Sequence, residues 1–120
     1  MDMNSKEFHS FADIIDYYHP GTNTYKFVDE NGLYCKVKFL FDLITNANIH
    51  AGIIIANNIS VLNISATDIY ANNIYAKDII ANDIDANYVM AEKIIYSGHL
   101  FIHGSINTRD KLMFVPRSNW

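Results

Sequence analysis

Residues 46–95 read NANIH AGIII ANNIS VLNIS ATDIY ANNIY AKDII ANDID ANYVM AEKII, ten consecutive blocks of five. The fourth slot is Ile in every block from Ile49 to Ile94, with Val89 as the one replacement. The first slot is Ala at Ala51, Ala56, Ala66, Ala71, Ala76, Ala81, Ala86 and Ala91. The third slot is mostly Asn or Asp: Asn48, Asn58, Asn63, Asp68, Asn73, Asp78 and Asp83. A fixed period of this kind outranks local propensity when a fold is read from sequence. A helix needs apolar residues three and four apart, so Ile at every fifth position would wander around a helix and bury nothing. A flat strand needs alternation by two. Within a block the pattern does alternate: Ile inward, one residue outward, Ala inward. Two further residues, rich in Asn and Asp, then turn a corner, which suits side chains that bond nearby backbone. Short strand, corner, short strand predicts a solenoid in which each coil bonds to the next.

These blocks resemble the pentapeptide-repeat family, whose fold is a right-handed quadrilateral β-helix. Here Ile precedes Ala by two, so the large and small inward slots are exchanged relative to the family's usual block. The resemblance implies a mainly β fold, a short right-handed parallel β-helix of four blocks per coil, to which the residues before the repeat add an N-terminal helix and β-hairpin as cap. Residues twenty apart should then stack, placing Ile49 with Ile69 and Val89, and Ile54 with Ile74 and Ile94. Ten blocks give about two and a half coils, some ~12 Å of height at the ~4.8 Å spacing of adjacent strands.

Outside the repeat the chain divides into residues 1–45, an N-terminal cap, and 107–120, a C-terminal cap, around a β-helix over 46–106. Asn4 and Glu7 have capping-box spacing, and Phe8, Phe11, Ala12, Ile15 and Tyr18 follow helical spacing, predicting a helix over 5–18 stopped by Pro20-Gly21. Alternation on either side of Asn31-Gly32 predicts a hairpin over 24–40. Cys35 falls on its apolar face, as a small buried hydrophobe rather than a nucleophile. The run 40–44 leads into the first coil, and 99–106 should form a last coil or edge strand. Leu112, Met113, Phe114, Val115 and Trp120 should cover that end, since an open edge invites pairing with other chains.

The net charge is −4, distributed as −3 over 1–45, −3 over 46–95 and +2 over 96–120. Binding of nucleic acid needs a basic face, so no direct nucleic-acid binding is expected. No apolar run approaches the length of a membrane span, and no secretory leader is read at the start. With one Cys, a reducing, cytoplasmic setting is expected.

Candidate chemistry is thin. His99 and His103 could begin a zinc site, but tetrahedral zinc wants further ligands; the expectation is no metal. Asp78, Asp83 and Asp85 could pair for acid–base work, but in a repeat they read as solvated corners. We expect no enzyme, no catalytic residues and no cofactor. The outward slot between Ile and Ala is more informative. Under the twenty-residue stacking it gives His50, Tyr70 and Met90 on one face and Ile55, Tyr75 and Ile95 on the next. Apolar outward patches of this kind mark contacts. The expected arrangement lays the chain's own N-terminal segment over the face of Tyr75 and leaves the face of Tyr70 to a partner. The partner-binding set is therefore His50, Tyr70, Met90 and Tyr75, with Asp68, Asp78, Asp83 and Asp85 supplying acidity. The expected function is a non-enzymatic binding protein that presents a rigid acidic and aromatic solenoid face to a protein partner, as an inhibitor or protector. What the resemblance implies is that some such proteins are acidic DNA mimics acting on gyrase; small acidic proteins of this kind can also be phage-borne, anti-CRISPR-like blockers of a nucleic-acid-processing enzyme. A structural module that self-assembles is the alternative, and a homodimer is compatible with either.

Overall fold

The computed structural model describes residues 4–116. In chain order they form β1 (Ser5–Phe8), a 3-10 helix (Phe11–Tyr17), β2 (Tyr18–His19), β3 (Thr24–Lys26), β4 (Lys36–Phe39), β5 (Leu43–Ile44), β6 (Asn48–His50), β7 (Ile53–Ser60), β8 (Asn63–Ser65), β9 (Asp68–Ala81), β10 (Asp83–Tyr96) and β11 (Leu100–Phe114). Together they wind a β-solenoid of about five turns. Every strand pairing is parallel except β2 with β3.

The coil takes three blocks, not four. Ile54 pairs in register with Ile69, and Ile69 with Ile84. Ile59 pairs with Ile74 and Ile74 with Val89. Ile49, Ile64, Ile79 and Ile94 form the third column. Residues fifteen apart therefore stack, and the cross-section is three-sided. The expected square, with its twenty-residue columns, is corrected. A block of five specifies one side and one corner, and repeats identically whatever the corner angle, so the number of sides is set by corner backbone geometry. Strands on either side of the repeat join the stack as well, so the whole coil has about five turns, roughly 24 Å at ~4.8 Å per strand spacing, where about 12 Å was expected for the ten blocks alone.

The Ile columns are the core. Ile54, Ile69, Ile74, Ile79, Ile84 and Ile94 are all fully buried, and each contributes roughly 1.5–3 kcal/mol through removal from water. Of the Ala slots, Ala51, Ala66, Ala81, Ala86 and Ala91 are buried, while Ala56, Ala71 and Ala76 pack from the margin. Backbone bonding runs on through the corners: Thr67 N–H donates to the Gly52 carbonyl, Asn82 N–H to Thr67, and Gly98 N–H to Asn82, each at 2.7 Å. The third-slot side chains add a ladder. Asn63 Nδ2 donates to Asn48 Oδ1 at 2.9 Å, and Asn73 Nδ2 to Asn58 Oδ1 at 2.7 Å. The residues read as corner formers thus also bond along the stack.

The N-terminal segment departs from expectation. There is no helix over 5–18. Ser5–Phe8 is a strand lying parallel on Lys36–Phe39, and only Phe11–Tyr17 is helical, in 3-10 form. The helical spacing of Phe8, Phe11 and Ile15 is not used: Phe8 is an inward strand residue, Ile14 is the buried helical residue, and Ile15 is 57% exposed. The start of the helix is held by Asp13, whose carboxylate accepts from the backbone N–H of His9 and Ser10, rather than by Asn4 and Glu7.

The Asn31-Gly32 turn is present. Gly32 has φ of 79°, the left-handed region that favours Gly. Asp29 Oδ1 accepts from the backbone of Asn31 and Leu33. The antiparallel ladder extends only from Phe27 to Cys35. Beyond it the arms separate: β3 pairs parallel with β6, and β4 parallel with β7. The expected hairpin over 24–40 is cut short because each arm is recruited by the coil above it. Phe8, Tyr17, Phe27 and Phe39 close this end as a ring cluster with centroids 5.2–5.9 Å apart.

At the other end, 112–114 does not fold over the coil. Leu112, Met113 and Phe114 form the third side of the last coil, in register with Ile94, Ile95 and Tyr96. Leu112 is 44% and Phe114 54% exposed. Trp120, expected to help cover this end, lies outside the described residues.

Candidate functional site

The outward slot follows the fifteen-residue stacking, so the expected faces are redrawn. One side of the coil presents His50, Ser65, Ile80, Ile95 and Met113. The next presents Lys38, Ile55, Tyr70, Asp85 and Phe101. The last presents Ile44, Ser60, Tyr75, Met90 and Asn107. His50, Tyr70 and Met90, read as one face, stand on three different sides. His50 is also covered: its ring stacks on Tyr34 at 3.9 Å, and burial, followed by the Lys26 charge, holds its pKa below the usual imidazole value.

The N-terminal segment does not cover Tyr75, which is 40% exposed and touches Tyr88 at a centroid distance of 5.6 Å. Tyr70 is 42% exposed. Both of these sides are therefore open: the N-terminal residues close the end of the stack and, through Tyr34, reach the His50 side.

The acids sort by corner. Asp68 and Asp83 stack at the corner that leads into the Tyr70 side, and Asp85 stacks directly over Tyr70 on that side. All three press on the phenol: the Asp68 charge most, then burial, then Asp83 and Asp85 hold the Tyr70 pKa above its ordinary value. Asp78 belongs to a different corner, over Asn63, whose Oδ1 accepts its backbone N–H at 3.1 Å. The expected grouping of Asp78 with Asp83 and Asp85 is thus corrected to Asp68, Asp83 and Asp85 around Tyr70.

The last coil frames this patch. His99 Nδ1 lies 3.5 Å from Asp83 Oδ1, and the His99 backbone N–H donates to the same oxygen at 2.8 Å. His103 Nε2 is 2.9 Å from Asp85 Oδ1. The two imidazoles sit on separate acids, at opposite ends of one side, rather than converging on a point. Among the described residues no group of three or more His, Cys, Asp and Glu is arranged to hold a metal ion. The His99 ring stacks on Phe101 at 5.6 Å, which leaves Phe101 51% exposed at the end of the column.

Tyr70 and the Asp residues were legible as outward-facing positions. Phe101 was missed, because an extra residue enters before the last coil: Ile84 lies fifteen residues after its partner Ile69, whereas Leu100 lies sixteen after Ile84. The signal was Gly98, at a crowded corner where a Cβ would lie 2.8 Å from the Asn82 carbonyl oxygen. Further slips follow between Ala86 and Tyr88 and between Ala91 and Lys93. Among the described residues no helix is long and apolar enough to cross a membrane. Comparison with family models, with curated proteins and with solved structures found no match to this chain.

Proposed function

We propose that this chain is a non-enzymatic binding module that presents the Tyr70 side of its coil to a cationic protein surface. The observation that carries the reading is the half-exposed Tyr70 ring with Asp68, Asp83 and Asp85 gathered about it and Ile55 and Phe101 below and above. Aromatic anchors such as Tyr carry much of the binding energy of protein interfaces, and charges around them steer and select an oppositely charged partner. Parallel strands on a packed Ile core hold these groups in place, so little ordering entropy opposes binding. A basic groove that normally takes nucleic acid fits this chemistry, which favours an inhibitor or protector of a nucleic-acid-processing enzyme. Mimicry of a whole duplex is less well supported. The stack is roughly 24 Å tall from the strand spacing, short of the ~34 Å helical turn of DNA, and these carboxylates occupy one side only. The likeness to pentapeptide-repeat proteins rests on the block of five; the three-block coil departs from their four-sided form.

The test is capture of partners from a bacterial lysate by the intact chain, compared with Tyr70→Ala and with Asp68→Lys. A partner that is retained at low salt, released at high salt and lost with either variant, while both variants melt as the parent does, supports the assignment. A partner retained equally by both variants overturns it.

A further inference from the structure

The two ends of the stack differ. The N-terminal end offers only short pieces of strand: β1 has four residues, β2 two and β5 two. Aromatic rings fill the space between them. The C-terminal end is one continuous strand of fifteen residues, β11, and among the described residues it pairs only with β10. Alternate backbone amides and carbonyls along it face no other described strand. Its inward side chains lack a further coil: Leu100, Ile102 and Ile106 are only half-buried, whereas the residues they stack on, Ile84, Ala86 and Val89, are buried. A long unpaired edge whose inward slots are mostly apolar is a template for pairing with another chain.

From the register of this edge we infer that a second copy of the chain docks there, end to end, about a two-fold axis through Asn107. A two-fold axis across the end runs strand against strand antiparallel. With Asn107 facing its own copy, Leu100 meets Phe114, Ile102 meets Leu112 and Ile106 meets Thr108. All six are inward positions by their register with β10. Outward Phe101 meets outward Met113. The pattern is self-complementary over the whole edge, as a closed two-fold interface must be. The two other two-fold settings are worse. An axis through Phe101 sets Arg109 against Lys111 and Asp110 against itself. An axis through Met113 sets Phe101 against Asn107. In the Asn107 setting the corner of Arg109, Asp110 and Lys111 faces Ser105, Gly104 and His103 instead. Growth beyond two copies is blocked, because the N-terminal ends that remain outside carry no matching continuous edge. The interface also lengthens the Tyr70 side: the column of Ile55, Tyr70, Asp85 and Phe101 runs on into Met113 of the second copy. Dimerisation needs no other partner, so it is read on the purified chain and stands or falls apart from the function assigned to Tyr70.

The experiment is sedimentation of the full chain over a range of concentrations, together with Asn107→Cys and Phe101→Lys. The parent should sediment at twice the 13.7 kDa of one chain and dissociate on dilution, without higher species. Asn107→Cys should form a disulfide-linked dimer under mild oxidation, mapped by mass spectrometry to position 107, because an antiparallel pair on the axis brings the two Cβ atoms within bonding range. Phe101→Lys should weaken the dimer at least tenfold while the circular dichroism spectrum is unchanged. A monomer at all concentrations, open-ended polymers, or a dimer that Asn107→Cys does not cross-link would each overturn the inference. Should Phe101→Lys fail to fold, Met113→Lys reads the opposite member of the same pair.

Discussion

Asn73 stands one coil above Asn58 and donates from Nδ2 to its Oδ1 at 2.7 Å, while Asn58 donates in turn to Asp42 Oδ1 at 3.0 Å. This run of side-chain amides climbs one corner parallel to the backbone ladder. A half-buried amide that loses its partner forfeits the bond and leaves an unsatisfied group. Asn58→Asp removes the donor to Asp42 and sets two carboxylates against each other, so it should cost about 1–3 kcal/mol. Urea unfolding followed by circular dichroism measures this, with Asn72→Asp, on an exposed position beside Asn73, as the neutral comparison.

Ile74 is fully buried between Ile59 and Val89. Ile74→Ala should destabilise by about 2–5 kcal/mol, the sum of lost transfer energy and the cavity left behind. Ile74→Asp should prevent folding, because it places an unpaired charge in the column. Thermal melts of the two variants, alongside Asn72→Asp, decide whether the columns carry the stability.

Gly104 is held by the close approach of the Asn87 backbone rather than by a positive φ. A Cβ at 104 would lie 2.5 Å from the Asn87 carbonyl oxygen and 3.1 Å from its side-chain oxygen. Gly104→Ala should therefore displace the corner of the last coil and cost about 1–3 kcal/mol, as overpacking does. Gly21→Ala, which meets nothing within 4 Å, should be neutral. Hydrogen exchange should show the loss confined to β11 and its pairing with β10.

Tyr70 should report the acidic patch directly. The Asp68 charge is the largest cause that raises its pKa, so Asp68→Asn should lower the midpoint of its alkaline absorbance titration. The sign for stability follows. With a folded pKa above the unfolded one near 10, the contribution is fully present below pH about 10 and is lost as pH rises through the folded value. The parent should therefore lose stability on alkaline titration more steeply than Asp68→Asn.

Cys35 is fully buried, and burial is the main reason its thiol pKa is raised. The thiolate is the reactive form, so a thiol reagent should label it only as fast as the protein unfolds. Immediate labelling at neutral pH without denaturant would show that the first coil opens readily.

The sequence alone determined that this chain is a solenoid and which residues lie inside it. Ile at every fifth position from Ile49 to Ile94 fits no helix and no flat sheet, and the inward and outward slots follow from strand alternation alone. The buried Cys35, the turn at Gly32 and the outward Tyr70 and Tyr75 were legible on the same local grounds. The tertiary structure decided what stacks on what. A block of five describes a side and a corner but not the angle between sides, and that angle makes the coil three-sided, puts Tyr70 under Asp85 rather than beside Met90, and separates Asp78 from the other acids. It also decided the ends. Ser5–Phe8 opens the stretch whose helical spacing, from Phe8 to Tyr18, predicts a helix, yet it pairs with β4 because β4 offers it a row of backbone partners and an apolar slot beside Phe39, an influence that local propensity cannot register.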